Sequence, residues 1–187
     1  MAEVKNINAL SMESIDLDEV YQQPEQGKIL MNDDIVFVMG GHLQNTRFLL
    51  EGKIYQMVEP RLILALKGHA DICVNLQDCH VEKGSVMLLP TDTIVEVKEI
   101  SEDARVVAIV FGDGMDIMDE IVVSTSPSEF ARLMRIVYLA WDFLQIKPYR
   151  TKTIQSLLQS VVTDIQYIND LEEGNTKRGS TSRSHDL

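Results

Sequence analysis

The feature that most constrains this chain is a repeated rhythm of short apolar runs between Leu62 and Phe111. These runs are rich in Val, Ile and Leu, and pairs or triplets of turn-forming residues interrupt them about every 8–12 residues. The interruptions are Lys67-Gly68, Gln77-Asp78, Lys83-Gly84 and Pro90-Thr-Asp92. Such a rhythm is typical of antiparallel sandwiches and barrels, because parallel βαβ folds need a helix-length segment between strands. The sequence therefore predicts a small antiparallel β-barrel.

The predicted barrel extends over residues 35–123. Residues 35–39, 47–50 and 53–58 add further strands, and Gly40-Gly41 and Glu51-Gly52 provide the turns between them, because glycine tolerates positive φ. About eight or nine strands are expected between Ile35 and Phe111, enough for two packed sheets or a closed roll. Residues 1–34 mix polar side chains with isolated apolar ones and are expected to form a mostly irregular N-terminal arm.

A helical period follows the barrel. Ser126-Pro-Ser-Glu129 is a capping box with proline at the first helical position, so a helix is expected to begin there and to end before Pro148. A second amphipathic helix is expected from Thr151 to Glu172, with Gly174 as its stop. These helices form a two-helix element over residues 124–173. Residues 174–187 have the composition of a linker.

Both predicted helices carry wide apolar stripes. Two such stripes bury more surface than one small barrel absorbs, and an uncovered apolar patch usually marks an interface between proteins. The sequence therefore predicts a homodimer built on these helices. The alternative is that both helices cap the barrel. The expected interface residues are Phe130, Leu133, Val137, Trp141, Leu144, Ile154, Leu158, Val161, Ile165 and Ile168.

The charge of the chain excludes one class of function. Its 29 acidic and 17 basic residues give a formal net charge of −12, whereas nucleic-acid affinity rests on Lys and Arg that neutralise phosphates. The N-terminus does not resemble a cleavable signal, and no apolar run approaches the roughly 18 residues of a membrane span. We expect a cytoplasmic chain that binds neither DNA nor membrane by itself. In that reducing compartment Cys73 and Cys79 are expected to be half-buried thiols that lie on either side of the Gln77-Asp78 turn.

The order of these segments resembles a known family. Leu64-Ala-Leu-Lys-Gly68 and, above all, Lys83-Gly-Ser-Val-Met-Leu-Leu-Pro90 resemble the cupin-like sensor half of AraC-type transcription regulators, over about residues 35–172. The resemblance implies a double-stranded β-helix that binds a small effector and dimerises, while a C-terminal helix-turn-helix domain contacts DNA. No such domain occurs before Leu187. DNA binding is therefore implied only for a longer parent protein, and the tail resembles the linker to its missing domain.

A metal-dependent cupin enzyme is one alternative. Such cupins commonly hold the metal through a His-x-His pair, a glutamate and a distant histidine. The histidines here are His42, His69, His80 and His185, and no two are separated by a single residue. Only His80 and Glu82 share a strand face, and two ligands are too few for a tight site. We therefore expect no metal, no cofactor and no catalytic residue.

A cyclic-nucleotide sensor is the second alternative, since those proteins also join a β-roll to a dimerising helix. They hold the cyclic phosphate with a Gly-Glu pair and an arginine followed by small residues. The corresponding Gly84-Ser85 pair has serine in place of glutamate, and no Arg-Ala pair follows within the barrel. This interpretation ranks below the AraC-type one.

The predicted effector site is apolar. Tyr55 and Met57 share one strand face, and Val95, Val97, Val107, Ile109 and Phe111 share one parity of the later strands. Faces of this kind suit a hydrophobic or amphipathic effector better than a sugar that needs paired polar groups. The candidate ligand-binding residues are Tyr55, Met57, Val97, Ile109 and Phe111. The alternative is that these side chains only fill a small barrel.

Overall fold

The computed structural model describes residues 6–12, 28–42, 49–112 and 115–184, with side chains described as far as Gly174. It divides the chain into two compact units, Met1–Pro127 and Ser128–Leu187. The described part of the first unit is built of strands, and that of the second is built of two helices. This confirms the predicted fold class, mainly β with C-terminal helices.

Eleven strands form the first unit among the described residues. They are β1 (Ile7–Leu10), β2 (Lys28–Met31), β3 (Ile35–His42), β4 (Ile54–Met57), β5 (Arg61–Lys67), β6 (His69–Val74), β7 (Gln77–Glu82), β8 (Ser85–Leu89), β9 (Ile94–Ile100), β10 (Arg105–Phe111) and β11 (Ile121–Ser124). Eight of them, β3 to β10, begin between Ile35 and Arg105, which agrees with the predicted number.

The strands form two sheets. One has the order β1-β4-β9-β6-β7, and the other has the order β11-β8-β5-β10-β3-β2. All neighbours are antiparallel except β1 and β4, which are parallel. A core of buried side chains takes members from both sheets, among them Met57, Ile72 and Val97 of the first and Ile63 and Leu89 of the second. The period-2 alternation of β4, β6 and β9 supplies this shared interior.

Short edge strands are the main departure from the predicted barrel. Within the expected irregular arm, β1 pairs with β4 and β2 pairs with β3, so that expectation is wrong for these two segments. β11, which pairs with β8, was not predicted either. Each of the three has only four residues, too few for a periodic pattern, and each is held by ladder hydrogen bonds to a neighbouring strand. Of the expected strand 47–50, residues 47 and 48 lie outside the described residues, and Leu49 and Leu50 are not in a strand.

The hairpin between β6 and β7 turns at Asn75 and Leu76, which both have positive φ, 44° and 70°. The expected turn residues Gln77 and Asp78 instead begin β7. Two consecutive residues with positive φ are the requirement of the type I′ turn, which matches the twist of a hairpin. Cys73 is paired with Asp78, while Cys79 is paired with Ile72. Adjacent positions of a strand point to opposite faces, so the two thiols are on opposite sides of the sheet, each partly buried.

The helices are α1 (Pro127–Leu144), which lies in the second unit except for its first residue, and α2 (Thr151–Ser184). α1 begins at the proline of the predicted capping box. α2 continues through Gly174, so the predicted stop is wrong. An interior glycine costs a helix only about 1 kcal/mol relative to alanine, which a long helix can absorb. None of the helices in the described residues is long and apolar enough to cross a membrane.

Candidate functional site: two apolar cavities in the β unit

Two adjoining cavities lie inside the first unit. The first, called here the inter-sheet cavity, has a volume of about 50 Å³ and is lined by side chains of both sheets, including Ile72, Val97, Met87 and Leu89. Its polar lining consists of Lys67, His69 and Ser85. All its remaining lining residues are apolar or glycine, so the cavity offers a ligand contacts that are mainly dispersive.

The second cavity, called here the Arg61 cavity, has a volume of about 70 Å³. Its walls come from β3, β5 and β10 and from the segment that follows β1. The lining residues are Leu10, Ser11, Met12, Val36, Val38, Gly41, Leu49, Met57, Arg61, Ile63, Val106, Ala108 and Val110. Leu49, Met57, Ile63 and Val106 line both cavities, so the two spaces are separated only by apolar side chains.

Arg61 is the one charged side chain among the described residues that line the Arg61 cavity, and it is only 7% exposed. Its Nη2 donates to the carbonyl oxygen of Leu10 at 3.2 Å and lies 3.8 Å from the Oε2 of Glu59. Burial lowers the pKa of Arg61 to about 10, and the nearby Glu59 only partly opposes this shift. The guanidinium is therefore charged at neutral pH, but its desolvation is incompletely compensated.

The Nε of Arg61 is buried and has no hydrogen-bond partner. A buried donor left unpaired costs roughly 1–3 kcal/mol, and more when the group is charged. Glu59 does not satisfy it, because its carboxylate accepts from the Oγ of Ser11 at 3.0 Å and from the backbone N of Met12 at 3.1 and 3.2 Å. Arg61 therefore adds a charged side chain with one unpaired donor to a cavity lining that is apolar apart from Ser11.

The predicted ligand-binding residues divide between the cavity walls and other positions. Met57 lines both cavities, and Val97 lines the inter-sheet cavity. Tyr55 is buried in the core, and its hydroxyl oxygen accepts from the backbone N of Leu50 at 2.9 Å. Ile109 and Phe111 are buried but line neither cavity. On β10 the cavity walls are formed by the opposite parity, Val106, Ala108 and Val110.

Arg61 is the functional candidate that sequence reasoning missed. It lies between Pro60 and the apolar run that begins at Leu62, so the sequence indicates an ordinary polar residue at the boundary of a strand. In the structure it is instead the first residue of β5, paired with Leu89 and Val110. The available indication was a charged residue directly before the apolar run 62–66, since charged residues are rarely fully buried unless they are paired.

The predicted dimer-interface residues are largely buried within the single chain. Leu133, Val137, Leu144, Ile154, Leu158, Val161 and Ile165 are buried, and Phe130, Trp141 and Ile168 are partly buried. Other apolar side chains of the helices are exposed instead. Tyr138 and Leu139 on α1 are 52% and 45% exposed, and Tyr167 and Leu171 on α2 are 63% and 54% exposed.

His80 does not belong to either cavity. It is exposed, with its Nδ1 at 2.6 Å from the Oδ1 of Asp71 and its Nε2 at 3.7 Å from the Oε2 of Glu82. The hydrogen bond to Asp71 raises the pKa of His80 above its ordinary value. The ring of His69 stacks on it with centroids 5.8 Å apart. Within the described residues no three His, Cys, Asp or Glu side chains are placed to hold a metal ion. The side chains of His42 and His185 lie outside the described residues.

Ser85, at the position where cyclic-nucleotide sensors carry glutamate, is 3% exposed and lines the inter-sheet cavity. Its Oγ accepts from the backbone N of Glu82 at 3.0 Å, within the β7–β8 turn. The hydroxyl therefore stabilises the turn.

Comparisons with known proteins find similarity in structure but not in sequence. No protein-family profile matches the chain, and no curated protein matches it. Apo ToxT from Vibrio cholerae strain SCE256 matches with a TM-score of 0.47 and 12% identity, over 74% of this chain and 58% of that one. ToxT from the same strain with bound unsaturated fatty acid matches with a TM-score of 0.42 and 9% identity, over 74% and 56%. This chain thus spans a little over half the length of ToxT.

A second kind of protein also matches. A protein with a cupin-2 domain from Shewanella frigidimarina has a TM-score of 0.31 and 13% identity, over 52% of this chain and 93% of its own. ToxT is an AraC-family regulator. Both groups in the predicted resemblance, AraC-type regulators and cupins, thus occur among the structural neighbours. At these identities and TM-scores the matches do not indicate a ligand, and the ligand of this chain must be sought in its own cavities.

Proposed function

We propose that this chain is the effector-sensing and dimerisation domain of an AraC-type transcription regulator. Its β unit binds a small, predominantly apolar molecule without a metal, and the bound state is transmitted to a C-terminal helix-turn-helix domain outside this sequence. The protein acts in the cytoplasm, is not an enzyme, and contacts DNA only through that further domain.

The observation that carries this proposal is the pair of adjoining apolar cavities inside the β unit. Protein interiors are normally packed to the density of organic crystals, and voids larger than a water molecule are few. Here two voids share Met57 and Val106 as a common wall. A cavity with an almost wholly apolar lining, such as the inter-sheet cavity, offers water few hydrogen-bond partners and therefore favours apolar ligands.

The side chains around the cavities favour an apolar effector over a sugar or a nucleotide. A sugar needs several paired polar groups, since each of its buried hydroxyls costs free energy if it lacks a partner. The inter-sheet cavity has its polar groups in Lys67, His69 and Ser85, of which the first two are exposed. Methionine is present in both walls, and its flexible side chain lets a cavity adapt to ligands of different shapes.

Binding of n-octanol, an uncharged apolar probe, tests the proposed sensing function. At about 100-fold excess over its dissociation constant, a ligand of the folded state stabilises it by about 2.7 kcal/mol. We expect this to raise the melting temperature by roughly 5–10 °C in differential scanning calorimetry. Ala70 is 4% exposed and lines the inter-sheet cavity, so Ala70→Leu should fill part of it and abolish the shift.

Ala131→Leu is the matched control, because it adds the same atoms at an exposed position of α1. It should leave the shift intact. If n-octanol leaves the melting temperature of the unsubstituted chain unchanged at saturating concentration, the proposal of an apolar sensor is wrong. An equal shift in Ala70→Leu and the unsubstituted chain would also contradict it.

A further inference from the structure

We propose that the Arg61 cavity is a head-group subsite for a monoanionic amphipathic ligand, a carboxylate on an aliphatic tail, whose tail lies in the inter-sheet cavity. This inference rests on the proposed sensor function and names the chemical class of its ligand. It is carried by the placement of one buried, incompletely paired guanidinium in the wall of an apolar cavity.

One donor of the Arg61 guanidinium lacks an acceptor. The Nη2 atom is used by the carbonyl oxygen of Leu10, at 3.2 Å, whereas Nε has no partner although it is buried. A guanidinium presents its N–H groups in a planar fork that matches the two oxygens of a carboxylate. A ligand carboxylate at this position would supply the acceptor that Nε lacks.

The local charge favours a monoanion over a phosphate. Arg61 supplies one positive charge, and Glu59 lies at 3.8 Å with oxygens already engaged by Ser11 and Met12. A dianion at this position would lie beside the carboxylate of Glu59. The single positive charge of Arg61 would then have to balance both groups, and solvent screens their repulsion little because the site is buried. A monoanion therefore leaves less uncompensated negative charge beside Arg61 than a dianion does.

The surroundings of Arg61 require an apolar tail on the same ligand. The side chains that separate the Arg61 cavity from the inter-sheet cavity are Leu49, Met57, Ile63 and Val106, and none of them offers a hydrogen bond. A chain attached to a carboxylate at Arg61 therefore meets only apolar contacts as it passes toward Val97 and Leu89. Met57 has three rotatable side-chain bonds and can turn aside to join the two spaces.

Isothermal titration calorimetry on the whole chain tests the inference with three probes that each contain eight carbon atoms: sodium octanoate, n-octanol and methyl hexyl ketone. Octanoate should bind at least about ten-fold more tightly than either neutral probe. Arg61→Met should remove that preference while leaving the affinity for n-octanol within about two-fold, because the methionine keeps the apolar volume. Arg132→Met, an exposed position of α1, is the matched control and should change neither affinity.

Arg61→Lys covers the case in which Arg61→Met does not fold. Lysine keeps the positive charge but lacks the planar guanidinium and its Nε, so Arg61→Lys should retain only part of the preference for octanoate.

Equal affinities of the unsubstituted chain for octanoate and n-octanol would overturn the head-group assignment and leave the sensor function standing. Failure of all three probes to bind would count against the sensor function itself. Inorganic phosphate should not compete with octanoate, and competition by phosphate would contradict the choice of a monoanion.

Discussion

Arg61 and Gly68 are the residues on which the interior of the β unit depends most directly. Arg61 introduces a charge into a cavity wall that is otherwise apolar. Gly68 joins β5 to β6 at the edge of the inter-sheet cavity, with a φ of +74° that side-chain-bearing residues rarely adopt. The first residue determines which ligand chemistry is possible, and the second allows the neighbouring backbone to come close enough to form the cavity.

Gly68→Ala should destabilise the chain by about 2–4 kcal/mol. A Cβ at this position would lie 2.5 Å from the Oγ of Ser101 and 2.6 Å from the Cα of Ala104, so backbone must move as well as side chain. This clash adds to the cost of a left-handed backbone, about 1–2 kcal/mol. Urea unfolding followed by circular dichroism measures the difference.

Gly52→Ala is the matched control for Gly68→Ala. Gly52 has a similar φ of +78°, but a Cβ there meets nothing within 4 Å. It should therefore show only the cost of the left-handed backbone. Equal free energies of unfolding for the two variants would mean that the close approach of Ser101 and Ala104 to Gly68 does not constrain the fold.

At the scale of elements, the sequence predicts most accurately where local chemistry is distinctive. The proline of the capping box sets the start of α1 at Pro127, and turns that contain Gly68 and Gly84 separate β5 from β6 and β7 from β8. The inward face of β10 is harder to predict, because both of its faces are apolar and hydropathy does not distinguish them. A register shift between Val106 and Val107 adds to this ambiguity. The sequence therefore predicts Ile109 and Phe111 as ligand-binding residues, whereas Val106, Ala108 and Val110 line the Arg61 cavity.

The apolar nature of the candidate site was predictable from the sequence, but only some of its lining residues were. Strand alternation places Met57 and Val97 at the cavity walls, and their side chains make the expectation of an apolar effector reasonable. The contribution of Leu10, Ser11 and Met12 depends on the parallel pairing of β1 with β4, between residues far apart in the chain. Such long-range pairing leaves no local pattern, and the partners of Arg61 were unpredictable for the same reason.

We further propose that the exposed apolar side chains of the helices form the dimer interface with a second copy of the chain. Tyr167 and Leu171 are four residues apart and so share one face of α2, and Leu139 lies on α1. The buried Leu158 and Ile165, 1% and 0% exposed, would report on folding rather than on association if substituted. Exposed aromatic and leucine side chains are instead the residues that an association between copies would cover.

Leu139→Glu and Leu171→Glu should each raise the dissociation constant of the dimer at least about ten-fold, because each places a charge in a desolvated contact. Sedimentation equilibrium measures the constant, and circular dichroism verifies that the helices remain folded. Thr163→Glu, an exposed polar position of α2, is the control and should leave the dimer unchanged. A monomeric unsubstituted chain at tens of micromolar would contradict the proposed dimer.

At the scale of the whole molecule, the two proposed functions, ligand binding and association, are assigned to the two compact units, residues 1–127 and 128–187. The first holds the cavities, and the second exposes the side chains proposed to associate. The net charge of the whole chain, −12, opposes its binding to the polyphosphate backbone of DNA. The proposed regulator therefore needs a further, basic domain to reach its operator.

The position of a bound ligand tests the central claim of an apolar sensor most directly. Crystals of the chain grown with ω-bromooctanoate should give a bromine anomalous peak inside the β unit, among Ile72, Leu89 and Val97. Electron density for the carboxylate should then lie next to Arg61. A bromine peak inside the unit but with the carboxylate away from Arg61 would support the sensor and reject the head-group assignment. Bromine found only on the outer surface of the chain, at saturating ligand, would contradict the account.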